Sequence, residues 1–199
     1  MNKKMYLVWA HPKKDSLTAQ IVDSIKKHSI EKGFEVTELD LYRSGFNPVL
    51  QANETPDWSN ETQNFSQEIY DLFNELKGND TLILVSPIWW FSFPAILKGY
   101  IDRIWNYGLA YGDGVKLPVN NVRWIALAGG AEKVYIKKGN DVYVKHYFNN
   151  GISSFCGIED SEVEILYNTI GFDEEIESDE HYKKLFKQAN SVIDNLDLS

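Results

Sequence analysis

The chain has 199 residues, 43% of them hydrophobic, 25% charged and 14% aromatic, and its 20 lysines and arginines face 29 acids for a net charge of −9. That length suits one domain with a full core, and the apolar content excludes a disordered chain. So anionic a surface argues against general nucleic-acid binding, which draws on neutralised phosphates, although local backbone dipoles can still hold one small anion.

The first apolar run ends at Ala10 and meets His11-Pro12-Lys13-Lys14-Asp15. It is too short for a signal-peptide core or a membrane span, so a soluble, cytoplasmic protein without stable membrane insertion is expected. Tyr6-Leu7-Val8-Trp9-Ala10 reads as a strand buried on both faces. Leu17, Ile21, Ile25 and His28 then recur at helical spacing, and Gly33 fits the helix stop. Phe34 to Leu39 alternates as a second strand nearer an edge. Phe65, Ile69, Leu72, Phe73 and Leu76 mark the next helix, and Thr81 to Ser86 is the clearest central strand. Pro94 opens a helix running to Trp105. Val122 to Ala128 is a fourth strand ending at Gly129-Gly130, a helix is expected from about Val142 to Cys156, and Val163 to Tyr167 is a fifth strand. Tyr182, Leu185, Phe186, Ala189, Val192, Ile193 and Leu196 share the face of a closing helix, which an acidic stretch, Asp173 to Glu180, precedes as a solvated loop. Strand and helix alternate throughout, which predicts one α/β domain over residues 1–199 with a parallel sheet.

Parallel sheets bind ligands beyond the carboxyl ends of their strands, where the strand order reverses. In a five-stranded sheet of order 2-1-3-4-5 that point lies between the first and third strands, which directs attention to three loops. In the first, Ser16 is a natural N-cap with Thr18 in the first helical turn; such a turn can hold a phosphate, or it can be a plain cap. Neither a P-loop lysine motif nor G-x-G-x-x-G is present, which disfavours an NTPase or a dinucleotide-type site. The second, Pro87-Ile88-Trp89-Trp90-Phe91-Ser92-Phe93-Pro94, carries four aromatics that can stack on a flat ring system or serve as packing or an interface. In the third, paired Gly129 and Gly130, followed by Tyr135, allow close backbone approach or an ordinary turn.

Cys156 is the only cysteine, so no intrachain disulfide or thiolate metal cluster forms; it reads as a small buried hydrophobe. No metal-ligand spacing is found, and His28 reads as structural.

Together these segments resemble the flavodoxin-like NAD(P)H:quinone oxidoreductases, the DT-diaphorase group and its bacterial relatives. The likeness rests on Asp40-Leu41-Tyr42, Phe46-Asn47-Pro48, the run from Pro87 to Gly99, Leu109-Ala110-Tyr111-Gly112, Gly129-Gly130 with Tyr135, and Gly151 to Gly157, all in order. It implies a flavodoxin-like three-layer sandwich with sheet order 2-1-3-4-5 and a flavin at the switch point, FAD with FMN as the alternative. On the matching positions, His11, Ser16, Leu17 and Thr18 would hold the phosphate. Pro87, Ile88, Trp89, Trp90 and Phe91 would run along the isoalloxazine, and Ala128, Gly129 and Gly130 would touch its other edge. Tyr135, Trp90 and Phe91 would serve catalysis. Phe93 would contact substrate, as would Tyr111, reaching in from the partner of a homodimer. The implied reaction is two-electron hydride transfer from NAD(P)H through flavin to a quinone. An ancillary flavoprotein of a potassium-efflux system and a flavodoxin-type electron carrier are the alternatives. One departure stands out: Asp141 occupies the position of a family histidine proposed to relay a proton. A carboxylate is a poor proton donor at neutral pH.

Overall fold

The computed structural model describes residues 3–60, 62–171 and 178–196. Five parallel strands, β1 (Lys4–Trp9), β2 (Glu35–Asp40), β3 (Thr81–Pro87), β4 (Asn121–Leu127) and β5 (Ser161–Leu166), lie in the order β2-β1-β3-β4-β5. This is the expected order, and every pairing is parallel. Strands buried on both faces need apolar residues at consecutive positions, and Leu82-Ile83-Leu84-Val85 in β3 supplies them without interruption. β2, at the edge, fully buries only Leu39 of its six residues.

The alternation of side chains sorts them into two cores. Tyr6, Val8, Leu82, Leu84, Val122 and Trp124 face α2 (Gln67–Lys77) and α3 (Ala95–Ile104). Met5, Leu7, Trp9, Ile83, Val85 and Ile125 face α1 (Leu17–Glu31) and α6 (Ser178–Asp194). The result is a three-layer sandwich. Across its outer side, His28 Nε2 lies 3.0 Å from Asp194 Oδ1, joining α1 to α6, so His28 is structural as read.

The helix expected from Val142 to Cys156 differs. Helical structure starts ten residues earlier with α4 (Glu132–Lys138), breaks, and resumes as α5 (Asn140–His146). Gly139 makes the break: at φ +68° it lies in the left-handed region that a residue with Cβ disfavours. Its N–H donates to the Ile136 carbonyl at 3.0 Å, ending α4, and its own carbonyl accepts from Tyr143 N–H at 3.0 Å, opening α5. The chain then widens into a π-helical turn, Tyr147–Ser153, and tightens into a 3₁₀ turn, Ser154–Cys156. The acidic residues 173–177 lie outside the described residues.

Candidate active site

The loops following β1, β3, β4 and β5 meet at one end of the sheet around a cleft of about 510 Å³. Its lining includes His11, Leu17, Thr18, Pro87, Ile88, Trp89 and Gly129. The volume is that of a site for a small organic ligand.

The floor at β1 is a helix head prepared for an anion. Ser16 has extended backbone, and its hydroxyl accepts from Ala19 N–H at 3.2 Å, as an N-cap should. Helix geometry denies Leu17 and Thr18 N–H an intrahelical acceptor. The first turn of α1 also contains no acid, in a chain with a nine-charge excess of them, so the positive end of the helix dipole is left uncancelled.

The wall at β3 is a strained turn. Trp89 and Ser92 exchange backbone hydrogen bonds of 2.8 and 3.0 Å, closing a two-residue hairpin loop. Its central residues, Trp90 and Phe91, have φ +53° and +58°, conformations that Asn-Gly normally supplies in such turns. Bulky residues held there cost on the order of 1 kcal/mol each, and strain of this kind gathers at functional sites. Trp90 is 97% exposed, so no burial of its ring offsets that cost within the chain.

The third wall is β4's end. A Cβ on Gly129 would sit 3.0 Å from Ile170 Cδ1, and one on Gly130 would sit 3.2 Å from Tyr135 Cε2. Glycine at both positions keeps this side open to a ligand approaching the backbone. Tyr135 is buried, edge-on to Phe91 at 5.8 Å and to Tyr167 at 5.4 Å. Burial pushes the Tyr135 hydroxyl above its ordinary range. Tyr167 is pushed up to about 12, by burial first and then by the Asp141 carboxylate. Both phenols keep their protons at neutral pH and can donate hydrogen bonds.

Of the residues singled out from the sequence, His11, Leu17, Thr18, Pro87, Ile88, Trp89 and Gly129 line the cleft together. Ser16, Trp90, Phe91, Ala128 and Gly130 flank it in the same loops, and Tyr135 stands in the first turns of α4 behind Phe91. Phe93 and Tyr111 do not line it. Phe93 is buried, its ring nearly parallel to those of Trp124 and Tyr147, because the residue after the hairpin turns inward. Tyr111 lines a separate groove of about 280 Å³ with Ile101, Trp105 and Phe155. Leu127, Thr169 and Ile170 complete the cleft and were not singled out; the position of Thr169-Ile170 after the last strand was the available signal.

Among the described residues no cluster of potential metal ligands occurs, and no helix is long and apolar enough to cross a membrane. The family model of the flavodoxin-like fold matches residues 3–189, and the chain belongs to that family. Within it the chain falls in the class of NAD(P)H oxidoreductases, on the following likenesses. It is 49% identical, over 98% of its length and 99% of the relative's, to the Escherichia coli K12 protein named "Uncharacterized NAD(P)H oxidoreductase YcaK". It is 28% identical to NAD(P)H dehydrogenase (quinone) 1 of Rattus norvegicus, over 83% of this chain and 69% of that one. The fold superposes with a TM-score of 0.87 on an NAD(P)H:quinone oxidoreductase from Methanothermobacter marburgensis, at 22% identity and covering 100% and 99% of the two chains.

Proposed function

We propose that the protein is a flavin-dependent NAD(P)H:quinone oxidoreductase, with one flavin-binding domain over residues 1–199, acting as a cytoplasmic homodimer. The observation that carries this reading is the cleft itself. An uncancelled helix head, a strained aromatic wall and a two-glycine edge surround a space suited to a phosphate-bearing planar ligand. A flavin bound there supplies two-electron hydride acceptance and donation. His11 with the first turn of α1 would hold its phosphate. The aromatic turn would flank the ring and exclude water from it. Gly130 N–H and the neutral Tyr135 hydroxyl are suited to stabilise negative charge at the ring's oxygen edge.

FAD is the flavin we favour over FMN. A second cleft of about 480 Å³ opens beyond Gly130, lined by Ala131, Glu132 and Lys133 at the start of α4, by Tyr167 and Asn168 after β5, and by His181 and Lys184 of α6. It offers room and positive charge for a second nucleotide half. The homodimer is supported by the groove at α3, where Phe155 is 66% exposed beside Tyr111 and Trp105, an arrangement typical of surfaces that meet a partner.

The test is an absorption spectrum of the purified protein followed by anaerobic NADH or NADPH. Bands near ~450 nm, the usual region for oxidised flavin, that bleach promptly are expected, and quinone should then restore them. Bleaching by dithionite alone would favour an electron carrier or sensor. A protein that cannot be reconstituted with either flavin would overturn the reading.

The strained turn gives a second measurement. Trp90→Gly removes a fully exposed ring and relieves a left-handed conformation, so stability should rise by up to about 1 kcal/mol. The apparent KM for quinone should rise several-fold in the same variant. Thermal unfolding and steady-state kinetics read the two effects separately.

A further inference from the structure

The cleft's phosphate end is built on an exposed loop, residues 11–16, that has few and mostly long bonds of its own: Lys13 N–H donates to His11 Nδ1 at 3.0 Å, the same nitrogen lies 3.2 Å from the Lys13 carbonyl, Ser16 N–H reaches Lys13 O at 3.4 Å, and Gln20 Nε2 reaches the Asp15 carbonyl at 3.4 Å. The loop is held from the neighbouring strand instead. Arg43, in the turn after β2, donates from Nη2 to the His11 carbonyl at 2.6 Å and from Nη1 to the Pro12 carbonyl at 3.1 Å. Its Nε donates to Asp40, and its guanidinium lies 4.8 Å over the Trp9 ring.

The turn carrying Arg43 is itself fixed. Asp40 Oδ1 accepts from the N–H groups of Tyr42 and Arg43 at 3.0 and 3.2 Å, and Leu41 N–H donates to the Trp9 carbonyl at 3.1 Å. Trp9 is locked in turn by donation from Nε1 to Glu38 at 2.9 Å. A planar fork anchored at its base therefore spans two successive carbonyls of the loop while holding Asp40, an arrangement that a guanidinium fixes and a single ammonium reproduces only in part.

We propose that Arg43 is the positioning residue of the anion cradle, strapping the His11–Pro12 carbonyls so that the N–H groups at the head of α1 stay aimed at a bound phosphate. Its charge is paired with Asp40 and its N–H groups serve the loop, so it acts on the anion through backbone geometry. That the anion is a flavin phosphate rests on the function proposed above; the strap itself does not.

Two measurements test this on Arg43→Ala and Arg43→Lys. In the protein without flavin, amide hydrogen exchange should accelerate about tenfold at Lys13, Ser16, Ala19 and Gln20, whose N–H groups are bonded within the loop and its cap, while α2 and α3 exchange as in the parent. Unchanged exchange in the loop would overturn the strap, whether or not the protein proves to bind flavin. In the second, dissociation constants are measured by fluorescence for FMN and for riboflavin, which lacks the phosphate. FMN should weaken about tenfold or more and riboflavin less than about twofold in Arg43→Ala, with only part recovered in Arg43→Lys. Equal losses for the two flavins would make the arginine a general structural residue. A loss accompanied by a flatter salt dependence of FMN binding would make it a direct charge partner; either result overturns the proposal. A parent that binds neither flavin would refute the functional reading alone, and the exchange data would still decide the strap.

Discussion

Replacing Arg103 by methionine is expected to destabilise the protein by about 3–5 kcal/mol, the range for removing one partner of a buried ion pair. For a chain of this size that lowers Tm by roughly 10–15 °C. Arg103 is 2% and Glu54 1% exposed in their side chains. Two hydrogen bonds of 2.8 and 2.6 Å join them as a fork, while Nη1 donates to Glu68 and to the Asn47 carbonyl, each at 2.6 Å. Ser66 Oγ donates to Glu54 at 2.8 Å, and Asn106 Nδ2 donates to the Glu54 carbonyl at 3.0 Å. The cluster fastens residues 47–66 to α2 and α3. Removing the arginine leaves a buried carboxylate without its cation, so Arg103→Met with Glu54→Gln should recover part of the loss in denaturant unfolding.

Acid gives the same cluster a second signature. Hydrogen bonding to Arg103, aided by Gln51 and Ser66 and opposed by burial, holds the Glu54 carboxyl at about 2. An unfolded-chain glutamate titrates near ~4.3. A folded value below the unfolded one means stability that is complete above about pH 5 and lost as pH falls towards 2, here roughly 3 kcal/mol. The parent should therefore lose more stability than Arg103→Met between those limits, and parallel pH curves would refute the assignment.

Gly99→Ala is the second large effect, and its sign is the point. In an exposed helix this change stabilises by about 1 kcal/mol. Here a Cβ would stand 2.2 Å from the Pro48 carbonyl oxygen, 2.4 Å from its Cβ and 2.6 Å from its Cα. Two of those three atoms are backbone that the Arg103 bond to Asn47 holds in place, so α3 must move outward. Overpacking of that kind should cost about 3 kcal/mol. A stabilised or unchanged Gly99→Ala protein would mean that the Pro48 segment yields freely.

What could be read from the sequence followed from local and periodic signals. The central strands announced themselves because both faces are buried, which writes an unbroken apolar run such as Leu82 to Val85. Ser16 was legible as a cap because its chemistry is local to four residues. The topology then placed three loops at one end of the sheet, and seven of the named residues do share the cleft. What escaped was either non-local or conformational. Glu54 and Arg103 are 49 positions apart, and nothing in a polar segment signals that its glutamate will be buried. Arg43 looks like a solvated turn residue until β2 is laid against β1. Gly139 was a single glycine between two helical stretches, and its left-handed φ decides that they are separate. Trp90 and Phe91 read as ring-stacking residues, whereas their backbone strain is invisible to any aromatic count. Phe93 belonged to the same aromatic run, yet the hairpin reverses its direction and sends it into the core.

The lone cysteine acquires a meaning under the proposed reduction of quinones. A quinone is an oxidant and also an electrophile that alkylates thiolates by Michael addition. Cys156 is buried, and its thiol is pushed up to about 11 by that burial. At pH 7 that burial keeps the sulfur in its protonated, poorly nucleophilic form, and little of the residue reaches solvent. Acting as proposed, the chain would present a quinone with no reactive thiolate, and mass spectrometry after repeated turnover is expected to find no quinone adduct on Cys156.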